Sequence, residues 1–310
     1  MPRRSRLDAE LVRRGLARSR DHASELIAAG RVSVAGVVAS KAATGVGTDA
    51  AVDVRGGESG ETAGPQWVSR GAHKLLGALA VFMTGEPDGL TVAGRRCLDV
   101  GASTGGFTDV LLAAGAAHVV AVDVGYGQLA WRLRTDERVT VKERTNARSL
   151  TPQAIGGPVD LVVADLSFIS LRLVLPALAA CTKPGADLVP MVKPQFEVGR
   201  GRVGSGGVVR DAEARADAVL AVVEAARGLG LGLRGAVASP LPGPSGNVEY
   251  FVWLRARAAA TAATGGKAAA TDGTDATGAT GGTGGTGGAM SAGAAADEAL
   301  VRRAVLDGPR

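Results

Sequence analysis

The sequence predicts an α/β chain: a doubly wound, Rossmann-like domain behind a small N-terminal α+β unit. Three observations predict it. Residues 98–109 read Leu-Asp-Val-Gly-Ala-Ser-Thr-Gly-Gly-Phe-Thr-Asp. This apolar run enters a glycine-rich turn and leaves it with helical periodicity, the opening strand–turn–helix of a doubly wound domain. Apolar runs of strand length follow at intervals, and three of them end on a charged residue. Ahead of all this lies a compact, arginine-rich segment with two short helical patterns and two strand-like runs.

In the N-terminal unit, residues 6–17 and 19–29 carry the helical patterns, with Ser19 as an N-cap and Gly30 as a stop. Val32–Val34 and Ala51–Val54 read as strands, and the glycine-rich stretch 56–64 closes the unit. Pro65-Gln-Trp-Val is a linker, and Ser69–Met83 is a helical segment carrying Arg70, His73 and Lys74.

The turn at 101–106 is the first candidate site. Gly101, Gly105 and Gly106 carry no Cβ, so a ligand can approach bare backbone there. A dinucleotide fingerprint needs a second glycine where Ser103 stands, and that glycine is what admits a pyrophosphate. The turn therefore points to a nucleoside ligand without one, and S-adenosylmethionine fits. The next run, His118–Val122, ends at Asp123, whose carboxylate is placed to accept from both hydroxyls of a ribose. Val139–Val141 precedes Asn146, an amide able to read an adenine edge. Val159–Ala164 ends at Asp165, and Leu188–Val192 ends at Lys193, where Pro194 stops the strand. Ligands of open α/β sheets sit beyond the carboxyl ends of the strands. Asp123, Asp165 and Lys193 should thus face one crevice. Glu249 opens the last strand.

Composition narrows the function classes. The chain has 35 Lys+Arg, of which six are lysines, so it prefers arginine wherever a fixed cation serves. Lysine differs because its amine can lose a proton, which marks Lys74 and Lys193 for chemistry. Residues 1–31 hold eight arginines against four acids, a phosphate-binding footprint or a solvated helix face. The two cysteines, Cys97 and Cys181, lie in apolar contexts and read as buried thiols of a cytoplasmic protein. The three histidines lack ligand spacing, so no metal is expected. There is no signal peptide and no apolar run long enough to cross a bilayer, so no membrane partner is expected either. Residues 258–295 are nearly all Ala, Thr and Gly, and are expected to be disordered. Glu298–Leu306 regains helical character. The glycine-rich run 199–207 is expected to be a mobile loop, with Arg200 and Arg202 able to close on phosphates.

Two resemblances bind these features together. Two basic helices followed by Ala28-Ala-Gly-Arg-Val-Ser-Val-Ala-Gly resemble the S4 RNA-binding domain. Ser69-Arg-Gly-Ala-His-Lys-Leu, Asp99-Val-Gly-Ala-Ser-Thr-Gly-Gly-Phe-Thr, Ala164-Asp-Leu-Ser-Phe-Ile-Ser, Val192-Lys-Pro-Gln-Phe-Glu and Gly243-Pro-Ser-Gly-Asn-Val-Glu-Tyr, in that order, resemble the TlyA family. Its members are rRNA 2′-O-methyltransferases, historically labelled hemolysins, with an S4 domain before an FtsJ-like methyltransferase domain. Pro65 departs from the family pattern, which often has arginine there.

The resemblance implies an S4 domain over 1–60, a linker over 61–68 and a methyltransferase domain over 69–257. The disordered insertion 258–295 and a terminal helix over 296–310 complete the expected organisation. It implies a Lys-Asp-Lys-Glu tetrad at Lys74, Asp165, Lys193 and Glu249. It adds Thr104 and Phe107 to Gly101, Ser103, Gly105, Gly106, Asp123, Asn146 and Asp165 as cofactor-binding residues. It also implies that Arg4, Arg6, Arg18, Arg20, Arg31 and Lys41 bind RNA. The implied substrates are cytidines of 16S and 23S rRNA within ribosomal subunits, with an effect on susceptibility to capreomycin-type antibiotics. A membrane-active hemolysin, a nicotinamide dehydrogenase and a non-catalytic S4 adaptor are the competing classes. They are disfavoured, respectively, by the lack of membrane-length segments, by Ser103, and by the intact tetrad.

Overall fold

A computed structural model describes residues 4–14, 16–17, 19–47, 50, 52–54, 67–84, 88–243, 245–258 and 292–309. The expected linker at 61–66, including Pro65, and the low-complexity run 259–291 lie outside the described residues, as does Arg18. The chain divides into two compact units, Met1–Gln66 and Trp67–Arg310.

The first unit runs β1 (Arg4–Arg6), α1 (Leu7–Arg13), α2 (Arg20–Ala28), β2 (Val32–Val34), β3 (Val37–Val38), β4 (Gly45–Gly47) and β5 (Val52–Val54). The Ser19 hydroxyl caps α2 by accepting from the His22 N–H at 3.1 Å. Gly30 ends the helix turn at φ +67°, a conformation that costs glycine little. β2 pairs antiparallel with β3 and β5, and β1 with β4. Leu7, Leu11, Leu26, Ile27 and Val32 fill a core of their own.

The second unit runs α3 (Gly71–Phe82), β6 (Arg96–Val100), α4 (Gly106–Ala113), β7 (His118–Val122), α5 (Trp131–Arg134), β8 (Val139–Lys142), β9 (Val159–Ala164), α6 (Leu175–Ala180), β10 (Thr182–Val192), α7 (Pro194–Glu197), α8 (Ala212–Gly228), β11 (Leu231–Ala238), β12 (Tyr250–Ala256) and α9 (Ala292–Asp307). One seven-stranded sheet has the order β11-β12-β10-β9-β6-β7-β8. The pairs from β8 across to β10 are parallel, whereas β12 is antiparallel to both its neighbours.

The strands are apolar on both faces because both faces are covered. Leu98, Val120, Val162 and Leu188 face a layer with α6, α8 and α9, while Cys97, Val119, Leu161 and Phe251 face α3 and α4. Burying each such side chain contributes about 1.5–3 kcal/mol.

The direction of β12 places the site. Val192, at the carboxyl end of β10, lies opposite Tyr250, at the start of β12. Glu249 therefore arrives at the same sheet edge as Lys193. It immediately precedes the strand and does not open it. β10 also begins earlier than its apolar run, at Thr182, with a register shift before Asp187. α8 and β11 are elements that periodicity does not single out, since the alanines of α8 leave little contrast between its faces. Asp211 caps α8, accepting from the Glu213 and Ala214 N–H groups.

Candidate active site

At the carboxyl edge of the sheet the four tetrad residues meet as two ion pairs. Lys193 Nζ stands 2.6 Å from Asp165 Oδ1 and donates to Ser167 Oγ at 2.9 Å. Lys74, projecting from the second turn of α3, donates to Glu249 Oε2 at 2.5 Å. Both side chains of the second pair are nearly inaccessible, at 8% and 1% exposure. Glu249 Oε1 is buried without a hydrogen-bond partner. A side chain at Gly243 would occupy the space of that carboxylate. Lys193 and Glu249 extend the Val192–Tyr250 pairing, so the two ion pairs belong to one edge.

The glycine turn borders this edge. Its glycines are demanded by the protein's own packing as well. Gly101, at φ +84°, leaves no room for a Cβ beside the Asp165 carbonyl. Gly105, at φ +99°, abuts Leu133 and Leu129, and Gly106 abuts Ser69 and the Ala72 amide, drawing α4 onto α3. Ser103 holds the left-handed conformation at φ +49°, which is uncommon outside glycine. Its N–H donates to Asp123 Oδ2 at 2.8 Å, and the Gly125 N–H donates to Asp123 Oδ1 at 2.6 Å.

A narrow cleft beside the turn is lined by Ala102, Ser103, Asp123, Gly125, Gln128 and Glu143 among others. Glu143 was not singled out by sequence. The Arg134 guanidinium holds its carboxyl below the usual carboxylate range. Thr104 is half-buried, and its carbonyl accepts from the Ala130 N–H at 3.1 Å. Two of the expected cofactor residues have side chains with protein partners. The Phe107 side chain is in the core, 5.9 Å between centroids from Phe251. Apolar burial claims that ring, so only its backbone remains to meet a ligand. Asn146 is exposed, and its Oδ1 is used to cap a short turn by accepting from the Arg148 N–H at 3.0 Å.

Comparison with known proteins identifies the fold and the chemistry it hosts. Residues 67–256 match the FtsJ-like methyltransferase family and residues 5–52 match the S4 domain. The Mycobacterium tuberculosis 16S/23S rRNA (cytidine-2′-O)-methyltransferase TlyA is 65% identical over 83% of this chain and 92% of its own length. The chain belongs to the TlyA family. A Brachyspira hyodysenteriae relative named hemolysin A is 36% identical over 79% of this chain and 97% of its own length. A solved structure of a hemolysin-named protein from Streptococcus thermophilus is 38% identical, covering 83% of this chain and 90% of its own, with a TM-score of 0.63.

In this TlyA-family chain, sequence reasoning missed two neighbours of the tetrad. Phe168, just beyond Ser167, is 91% exposed and held at φ +64°. An exposed bulky residue in that conformation is a mark of a functional loop. Asp99 lies inside the turn's own strand, fully buried, with Oδ2 accepting from Thr108 Oγ1 at 2.7 Å and Oδ1 unpartnered. Burial pushes its carboxyl up to about 7, and the Asp165 and Asp123 charges push the same way. A raised native pKa gives stability that is complete below about 3.8 and is lost as pH rises through about 7. Wild type should therefore lose thermal stability relative to Asp99→Asn between about pH 4 and about pH 7. Parallel melting curves across that range would contradict this.

The family's RNA-binding expectations fall on the S4 unit. Asp8 and Glu10 are buried there and organise the arginines. Arg6 donates to both Asp8 oxygens, at 3.1 and 3.0 Å, and Arg20 to Asp8 Oδ2 at 2.9 Å. Arg13 and Arg14 each donate to Glu10 at 2.8 Å through Nε. These guanidinium bonds, led by Arg6 and Arg13, hold Asp8 and Glu10 well below the usual carboxylate range. Arg6 and Arg20 remain more than half exposed, at 52% and 58%. Lys41 is exposed and Arg31 half-buried. Arg4 pairs with Gly47 through β1, and its side chain lies outside the described residues.

The 199–207 run is tied down, because Asn247 Nδ2 donates to the Gly207 carbonyl and Asn247 Oδ1 accepts from the Val209 N–H, both at 2.9 Å. Arg202 pairs with Asp217 at 2.8 Å, and the Arg200 side chain lies outside the described residues. Cys97 and Cys181 are free, buried thiols. Among the described residues, no helix is long and apolar enough to cross a membrane, and no group of three or more His, Cys, Asp or Glu could hold a metal ion.

Proposed function

We propose that this chain methylates the ribose 2′-hydroxyl of cytidines in 16S and 23S rRNA, using S-adenosylmethionine. The observation that carries the reading is the Lys193 amine, fixed by Asp165 and Ser167 next to a second buried pair and beside the glycine turn. The 65% identity to a protein bearing that activity supports the substrate.

The turn fits the cofactor. Asp123 and Glu143 bring carboxylates to the cleft beside it, which favours a sulfonium cation, and the bulk of Ser103 disfavours a pyrophosphate. Asp123 would hold the ribose through the acceptor capacity left on its two oxygens. When bound, S-adenosylmethionine supplies a methyl group already activated by positive charge.

The protein's own task is the nucleophile. The 2′-hydroxyl must lose its proton as the oxygen–carbon bond forms and the carbon–sulfur bond breaks. Lys193 lies where, as a cation, it can steer the hydroxyl and where, as the neutral amine, it can receive that proton. Glu249, itself buried, would hold the Lys74 amine in place at the rim of the site. Phe168 offers an aromatic face on which a base can stack. Phosphate and 2′-hydroxyl contacts belong to Arg6, Arg20 and their neighbours in the S4 unit, which would position RNA and perform no chemistry.

The test compares the full chain with one lacking residues 1–66, the first compact unit. Each is given methyl-labelled S-adenosylmethionine and isolated small or large ribosomal subunits. The full chain should label both rRNAs. The shortened chain should bind S-adenosylmethionine with unchanged affinity and fail to label either. No label from the full chain overturns the reading. Equal labelling by the two chains overturns the division of labour.

A further inference from the structure

We propose that Glu197 is a positioning residue: its buried carboxylate clasps the loop carrying Asp165, Ser167 and Phe168 to the turn carrying Lys193. This rests on the methyl-transfer reading of the site. Glu197 is the last residue of α7, one helical turn beyond Lys193. Its side chain is 1% exposed. The carboxylate faces the loop that follows β9. Oε1 accepts from the Leu171 N–H at 2.6 Å, and Oε2 accepts from Ser170 Oγ at 2.6 Å and from Arg172 Nε at 3.3 Å. Arg172 also donates to the Glu197 carbonyl at 3.3 Å.

The two segments meet at three successive places. Lys193 contacts Asp165 and Ser167, the Phe196 ring lies 5.5 Å from that of Phe168, and Glu197 holds Ser170 through Arg172. Phe168 is the strained member, at φ +64° and almost fully exposed, so little but its flanks can hold its backbone there. On one flank is Lys193, through Ser167. On the other is Glu197, through Ser170 and Leu171. A carboxylate is suited to the second flank because it is acceptor-only, and it meets two short donors and a guanidinium. Glutamine would turn one of those acceptors into a donor facing Ser170 and Arg172. The loop could then relax, and both Phe168 and the contact from Ser167 to Lys193 would lose their placement.

The test is a double-mutant cycle on the full chain with ribosomal subunits. Glu197→Gln is expected to lower kcat about 10- to 100-fold, as small misplacements of reacting groups do, with unchanged S-adenosylmethionine affinity. Ser170→Ala, which leaves the carboxylate intact, should lower kcat in the same direction by a smaller factor. In a Phe168→Ala background, Glu197→Gln should cost far less than it does alone, because both act through one loop. Full additivity of the two losses would overturn the proposal. So would wild-type kcat in Glu197→Gln, or a loss that disappears when activity is corrected for the folded fraction. If wild type itself labels no subunit, the methyl-transfer reading fails first, and that outcome is distinguishable from these.

Discussion

Replacing Lys193 with alanine is expected to reduce methyl transfer by about 10²–10⁴-fold, the range typical of a lost acid–base group. S-adenosylmethionine affinity should change little, since the amine makes none of the hydrogen bonds that hold Asp123 to the Ser103 and Gly125 N–H groups. The expectation rests on placement. Lys193 is 7% exposed at the carboxyl edge of the sheet, with Asp165 at 2.6 Å and Ser167 at 2.9 Å from its amine. Lys193→Arg separates two roles. Arginine keeps the charge but cannot give up its proton, and its planar fork does not match a single-point contact. An inactive Lys193→Arg supports proton transfer. An active one would show that Lys193 works by charge alone, and near-normal turnover in Lys193→Ala would remove the residue from the mechanism.

Lys74→Met is expected to destabilise the second unit by about 3–5 kcal/mol, the usual cost of leaving one member of a buried ion pair uncompensated. Glu249 would remain with a side chain 1% exposed, and its Oε1 already lacks a partner. The double variant Lys74→Met/Glu249→Leu should recover most of that stability, because the charge needing compensation is gone. It should not recover methyl transfer. Denaturant melts and turnover measured on wild type and both variants check both halves. A double variant that is stable and active would make the pair purely structural.

These expectations could be drawn from sequence only in part, for physical reasons. Strand identity was legible where both faces of a strand are buried, as at Val159–Ala164, because a continuous apolar run survives any choice of face. The Ser19 cap and the Gly30 stop were legible because each reflects local backbone chemistry. α8 was not, because alanine contributes to helix propensity without marking a face. β1 and β4 were not, because Arg4–Arg6 is polar and Gly45–Gly47 offers one apolar side chain. At the site, the residue types were legible and their partners were not. Nothing local in the sequence says that Lys74 pairs with Glu249 across 175 residues. That follows from the direction of β12, a tertiary property. For the glycines of the turn, packing adds a reason that the sequence does not show. Their neighbours are Leu133, Ser69 and the Asp165 carbonyl, which only packing reveals.

The most direct measurement of the central claim is the chemistry of the methylated product. rRNA labelled by the full chain is hydrolysed with alkali, which cleaves next to a free 2′-hydroxyl and spares a methylated one. The fragments are then identified by mass. Transfer to ribose by the Lys193 edge predicts that all label resides in alkali-resistant dinucleotides whose first nucleoside is 2′-O-methylcytidine. Label released in mononucleotides, as base methylation would give, or found on another nucleoside, would contradict it.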